Sequence, residues 1–389
     1  MSETESHPRA APLASVYFGY FAAVGMFGPF LALYLERHGF APDRIAFVLA
    51  LLPFFRIVSN PAWTALADRL RSASAVLRIV AVGSFALFGL FELDLHGAPL
   101  VIALLAFTVF RSPVTALVDV LALHWSARTA RPFGQIRAWG TVGYTVATFG
   151  AGVFIADRGP DAIVHVTAVL LALTALATFT LPAGSPPERV KLLPAVKVLL
   201  RRPRFVAFLA AAALHQFGLG AYDSLFPAYF THLADSTVAG LSIAVGTAAE
   251  VLFMTLGRGV LVSLGLDRTL ALAYAITAVR WLLMAFVREP WALVAIQLLH
   301  AFTFGAFYLA GVALVDEESP REVRASAQGI FGAVTWGLAS SLGLAFAGWL
   351  QQHGGLPRVF QVASVACVLA AVIASSASPP AECAYRDSV

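Results

Sequence analysis

Eight ionisable side chains fall inside stretches that are otherwise apolar: Arg56, Arg111, Asp119, Arg137, Asp223, Glu250, Arg280 and His300. Placing such a group in hydrocarbon costs about 2.5–3.5 kcal/mol even on the most lenient insertion scale, so each one needs a reason. The chemistry open to them is ion binding and proton transfer. Arginine grips a carboxylate through two parallel hydrogen bonds, while Asp, Glu and His can each carry a proton. Asp119 lies nine residues before Arg128, and Arg137 lies six residues after Arg131. At the helical rise this sets them about 13 Å and about 9 Å in from one membrane edge, on consecutive helices. Glu250, Arg280 and His300 are each central in their own spans and can share one cavity. With His300 neutral, four arginines against three carboxylates leave one positive charge in excess. An anion would fill that gap.

A structural reading competes. In it Asp119 with Arg137, and Glu250 with Arg280, are ion pairs that fix helix packing. Arg56 and Arg111 can snorkel along their spans, with Arg111 positioning Asp119 or a gate. His300, and Asp223 near Tyr222 and Pro227, can be hydrogen-bonded packing residues.

The elements that hold these groups follow from composition. Of 389 residues, 59% are apolar and only 12% are charged, against roughly a quarter charged in soluble domains. Apolar runs of about 20 residues, enough to cross ~30 Å of hydrocarbon, recur throughout. Breaks at charges, Gly and Pro predict an all-α membrane protein of twelve transmembrane helices, near 13–35, 45–67, 75–94, 98–123, 136–156, 161–181, 205–231, 238–262, 268–288, 291–315, 325–350 and 357–376. The longest polar stretch lies between the sixth and seventh. The expected organisation is therefore a six-helix bundle over 1–181, a linker over 182–204 and a second bundle over 205–389.

An even number of spans puts both termini on one side. Seventeen of the 26 Lys and Arg residues fall on that side, five fall opposite and four lie inside spans. The positive-inside rule makes the termini and linker cytoplasmic. Two bundles around a midplane site are the layout of secondary transporters. Asp68-Arg69 after the second helix is echoed by Asp267-Arg268 after the eighth, a small sign of repetition.

Other functions find little support. The acidic start, Met1 to His7, has no basic region of a removable signal. Cys367 and Cys383 form no disulfide framework, and His and Asp spacing offers no metal set, so neither metal nor cofactor is expected. The pI near 9.3 reflects basic loops, and no nucleic-acid partner is expected. A membrane-embedded enzyme lacks a nucleophile or cofactor motif, and the tail from Ser375 is too short to be a sensor's signalling domain. The expected partners are a small solute and the bilayer, with the chain a monomer.

The segment Phe133-Gly134-Gln135-Ile136-Arg137-Ala138-Trp139-Gly140-Thr141-Val142-Gly143 resembles the Tyr-Gly-x-x-Arg-x-Trp-Gly-Ser-x-Gly signature of one branch of the major facilitator superfamily. That branch contains the bacterial 3-phenylpropionate permeases. The likeness runs nearly end to end, through Tyr17 to Pro29, Ser112-Pro113, Ala249-Glu250-Val251, Val279-Arg280-Trp281 and Leu299-His300 with Thr303-Phe304.

More distantly, the chain is similar to the lactose permease family. That likeness puts Asp119, Arg137, Glu250, Arg280 and His300 at substrate-binding positions. Two departures stand out: Thr303 replaces a protonating glutamate, and Gln297 replaces a lysine. Asp68-Arg69 corresponds to the superfamily's gating loop, with Leu70-Arg71 where a glycine is usual. The fifth helix lacks the Gly-Pro pattern of drug antiporters. The resemblance implies the major facilitator fold, a bacterial inner membrane, and a proton gradient driving uptake of an aromatic or other organic anion. Glu250, Asp119, Asp223 and His300 are then the proton-coupling candidates. A sugar or nucleoside symporter is the alternative within transport.

Overall fold

A computed structural model describes residues 10–129, 133–181, 197–320 and 323–377. Lipid offers no hydrogen-bond partner to a backbone, so a spanning chain must satisfy its own amides, and every regular element among the described residues is helical. In the first part these are α1 (Ala11–Phe27), α2 (Leu31–Arg37), α3 (Pro42–Leu70), α4 (Ala73–Phe88), α5 (Gly97–Arg111), α6 (Pro113–Thr129), α7 (Phe133–Arg158) and α8 (Ala162–Thr178). There follow α9 (Pro203–Thr231), α10 (Ser236–Leu256), α11 (Arg258–Leu264), α12 (Leu266–Phe286), α13 (Pro290–Ile296), α14 (Phe307–Glu318), α15 (Arg324–Gly332) and α16 (Ser340–Ala377). The linker residues 182–196, with Glu188, Arg189 and Lys191, lie outside the described residues.

Each predicted span meets a helix or a helix pair. Among the described residues nine helices are long and apolar enough to cross a membrane, or ten when α1 and α2 count as one span bent by 43°. Their break falls at Gly28-Pro29, where proline removes an amide donor. Proline again separates α5 from α6, at Ser112-Pro113. Helix α8 is apolar but shorter, and one apolar run covers Ser326–Ser376. That run turns at Gly355, whose φ of 72° favours a residue without a Cβ, and Pro357 opens the helix that follows. Ser72 caps α4 by accepting from the Ala75 amide at 3.2 Å. Bulky apolar side chains stand on the outer surface, Leu256 at 71% and Val262 at 76% exposure among them. In water such a surface is a liability, whereas against acyl chains it is the ordinary state.

Two compact units divide the chain. One takes its described residues from 1–189 and 224–244, the other from 190–223 and 245–389. In the first, Leu13, Val16, Tyr17, Leu77, Val80, Val118 and Trp125 are buried together. Its helices α1 and α7 approach closely because Gly25 carries no side chain: a Cβ there would sit 2.5 Å from the Tyr144 carbonyl oxygen and 2.8 Å from Thr148 Oγ1. The second unit buries Phe205, Phe208, Tyr274, Phe307 and Phe331. Small residues again set its packing, with Gly220 against Ser340 and Gly218 against Ala363. Arg204, in the first turn of α9, binds Asp267 at 2.8 Å, Glu317 at 2.6 Å and Glu318 at 2.9 Å, tying together the ends of α9, α12 and α14.

Candidate functional site

In the first unit, α6 and α7 bring Asp119 and Arg137 to the neighbourhood of α1. They make no ion pair with each other. Tyr17 stands between them, its hydroxyl donating a hydrogen bond to Asp119 Oδ1 and its ring 5.7 Å from the Arg137 guanidinium. The Arg137 guanidinium lies over Phe21, 4.2 Å from the ring centroid, a geometry in which the ring's electron-rich face holds the cation. Gly140, one turn along α7, makes room for this. A Cβ there would come within 2.8 Å of both Arg137 Nη1 and the Phe21 ring. The Arg-x-Trp-Gly spacing thus has a local reason.

The second unit assembles more of its predicted group. Arg280 is completely buried on α12. Its Nη2 donates to Gln297 Oε1 at 2.6 Å, and its Nη1 lies 3.1 Å from His300 Nδ1. The guanidinium is 4.2 Å from the Tyr222 ring and 4.7 Å from the Trp281 ring. Gln297 also accepts from the Tyr222 hydroxyl at 2.8 Å and donates to the Leu293 carbonyl at 2.8 Å. On its far side His300 turns Nε2 toward Glu250 Oε2 at 3.6 Å. Glu250, His300 and Arg280 are therefore contiguous, with the imidazole bridging the carboxylate and the guanidinium.

Immediately after His300 the helix widens into a π-helical turn, Ala301–Ala306. Such bulges are frequent at functional sites. Thr303 lies within it, accepting from the Thr277 hydroxyl at 3.1 Å, while its carbonyl is 2.9 Å from His215 Nε2. Thr303 is thus a hydrogen-bonding post where the related pattern has an acid.

The side chains of Asp68 and Asp223 lie outside the described residues, and Arg69 ends α3 on an exposed face. Sequence reasoning passed over Tyr17, Phe21, Tyr222 and Gln297 as site residues. Aromatics are common in any lipid-embedded helix, so only Gln297, a polar residue in a span, carried a local signal.

Residues 11–362 match the family described as MFS_1 like family. The chain belongs to this family. It is a multi-pass membrane protein and a secondary transporter of the major facilitator type, not an enzyme. Among its curated relatives is a protein of Escherichia coli K12 named "Probable 3-phenylpropionic acid transporter", 27% identical over 88% of this chain and 91% of that protein. Another is the maltose permease of Geobacillus stearothermophilus, 26% identical over 92% of this chain and 91% of the permease. The same fold occurs in the crystal structure of the nucleoside transporter NupG, with a TM-score of 0.81 at 19% identity, covering 95% of this chain and 98% of that one. A family of transporters implies a small-molecule substrate for this member.

Proposed function

We propose that this transporter is a proton-coupled importer of a small organic anion, of the aromatic carboxylate class, working as a monomer by alternating access. Its two halves, 1–181 and 205–389, flank a cytoplasmic linker over 182–204 in a twelve-span chain with both termini cytoplasmic, in a bacterial inner membrane. The observation that carries the reading is Arg280, a fixed positive charge buried among Tyr222, Trp281, Gln297 and His300. A guanidinium offers a carboxylate two parallel hydrogen bonds, and aromatic faces around it suit an aromatic body. An incoming carboxylate can take the hydrogen bond that Arg280 Nη1 now gives to His300. Displacing His300 is a route by which binding reaches Glu250. The relative named for 3-phenylpropionic acid supports the substrate class. A panel of labelled 3-phenylpropionate, benzoate, lactose and uridine tests it in cells lacking their own uptake systems. Uptake of lactose or uridine alone would move the assignment to a sugar or nucleoside symporter.

Arg137 has the same task in the first unit. Arg137→Lys keeps the charge but removes the planar fork and its stacking on Phe21. Losing a charge-assisted hydrogen bond costs about 1.5–3 kcal/mol, so affinity for the anion is expected to fall about 10- to 100-fold. Gly140→Val, which crowds the same guanidinium, should lower affinity while leaving its charge in place. Unchanged Kd in both variants, with protein amount matched, would remove Arg137 from the binding site.

The proposed topology has its own check. Reporter fusions in the 182–204 linker and at either terminus are expected to read cytoplasmic. A periplasmic linker would overturn the arrangement of the halves.

A further inference from the structure

His38 terminates α2, and Asp94 and His96 sit on the short turn that leads into α5. These segments are remote in sequence, so no spacing motif reveals them. In the fold they converge. His38 Nε2 is 3.7 Å and His96 Nε2 4.0 Å from the same oxygen, Asp94 Oδ1, and the potential ligand atoms of all three residues lie within 4.8 Å of one another. The two imidazole rings are 5.2 Å apart.

The other ring nitrogens decide what these atoms can do. His38 Nδ1 is 2.9 Å from the Tyr34 carbonyl, and His96 Nδ1 is 2.8 Å from the Asp94 carbonyl. A carbonyl only accepts, so each Nδ1 carries a hydrogen. In the neutral rings both Nε2 atoms then turn lone pairs toward one carboxylate oxygen, and three electron-rich atoms face each other across a small space. A cation resolves that repulsion. Anchoring Nδ1 on a backbone carbonyl is also how metal-binding imidazoles are commonly oriented.

We propose that His38, Asp94 and His96 bind one divalent transition-metal ion of the zinc type, with a fourth position left to water. Two imidazole nitrogens and one carboxylate form a borderline ligand set that favours zinc over the all-oxygen preference of magnesium and calcium. Metal–ligand bonds near 2.0–2.1 Å imply ligand separations of about 3.3 Å in a tetrahedron. The two edges at Asp94 need to contract by less than about 1 Å to reach that. The side chains can do it. His38 is 6% exposed and acts as a fixed post, whereas Asp94 is 82% and His96 60% exposed and both can adjust. Asp161, whose Oδ1 lies 4.0 Å from His38 Nδ1, adds negative charge nearby, partly offset by Arg37 at 3.8 Å from Asp161. Glu92 is engaged by His165 at 2.7 Å. A bound ion clips the end of α2 to the turn before α5 within the first unit.

The test uses untagged full-length protein in detergent, Zn²⁺ for calorimetry and Co²⁺ as an absorbance probe. One saturable site per chain is expected, with visible Co²⁺ bands of tetrahedral type, a raised melting temperature and no competition from excess Mg²⁺. His96→Gln and Asp94→Asn, on the exposed turn, are each expected to weaken Zn²⁺ binding more than about tenfold and to erase the Co²⁺ bands. His38→Gln should do the same, and substrate uptake without added metal should stay at the wild-type level in the turn variants. Wild-type Zn²⁺ affinity in His96→Gln and Asp94→Asn, or no saturable binding below millimolar Zn²⁺ in the wild type, would overturn the proposal.

Discussion

Glu250→Gln is expected to abolish uphill accumulation of substrate while exchange of preloaded substrate continues. The expectation begins at Arg280, which has only N–H donors, so the His300 Nδ1 atom 3.1 Å away must accept. A neutral His300 then keeps its hydrogen on Nε2, the nitrogen facing Glu250 Oε2. Guanidinium, imidazole and carboxylate are thereby ordered into a line with a fixed direction. An anion that takes Arg280 both withdraws a hydrogen bond from His300 and cancels the positive charge nearest the relay. Each change favours a proton on the His300–Glu250 side. By linkage, protonation favours anion binding to the same degree, the reciprocity a symporter needs. Glutamine keeps the shape of Glu250 and fixes it in an uncharged state, so binding and exchange persist while the proton gradient loses its handle. The measurement is accumulation of labelled substrate into energised vesicles, set beside counterflow in de-energised ones. A variant that still concentrates substrate, and loses that ability with a protonophore, would relocate the coupling proton to Asp119, then Asp223 or His300. Thr303 is not a candidate, because it cannot titrate.

What the sequence made legible, and what it did not, has a physical pattern. Runs of apolar residues located the spans because membrane thickness imposes a length, but the spans read as continuous over 13–35 and 98–123 break at Gly28-Pro29 and Ser112-Pro113, where proline lacks an amide hydrogen. The meeting of Glu250, Arg280 and His300 was legible for a related reason. Charges buried in spans need one another or a ligand, and three of them at one depth on neighbouring helices leave few other arrangements. Asp119 and Arg137 show the limit of that logic. Depth along a helix follows from counting residues at 1.5 Å each, but direction around it turns 100° per residue. Depth therefore allowed a direct pair, and azimuth put Tyr17 between them instead. Tyr222 was hidden, and Gln297 showed only as a polar residue in a span, because their value lies in how they hold Arg280, which depends on contacts between three helices. The cluster of His38, Asp94 and His96 was hidden most completely, since the end of α2 and the turn before α5 are remote in sequence and only tertiary packing brings them together.

Arg280→Lys is expected to have the largest effect on substrate affinity of any single change, although it keeps the charge. The buried guanidinium is held in two ways, by hydrogen bonds to Gln297 and His300 and by its place over the Tyr222 and Trp281 rings. An ammonium lacks the planar fork and has a shorter reach. Losing the stacked contacts in a desolvated site costs about 2 kcal/mol, and a buried acceptor left without its donor costs about 1–3 kcal/mol more. These effects overlap, because Gln297 retains the Tyr222 hydroxyl as a donor and contacts in one network do not add. Even so, affinity for the anion is expected to fall more than about a hundredfold, at roughly 1.4 kcal/mol for each factor of ten. Gln297→Ala separates positioning from binding: it removes the clamp, leaves the guanidinium, and should cost less. In a double-mutant cycle the second change should matter little once Arg280 is lysine, since the clamp then has nothing to hold. Binding is measured by calorimetry on purified protein, and the melting temperature of each variant reports packing separately. If Arg280→Lys lowers the melting temperature but leaves Kd at the wild-type value, Arg280 is a packing residue, and the excess positive charge that argues for an anionic substrate must be answered by another group.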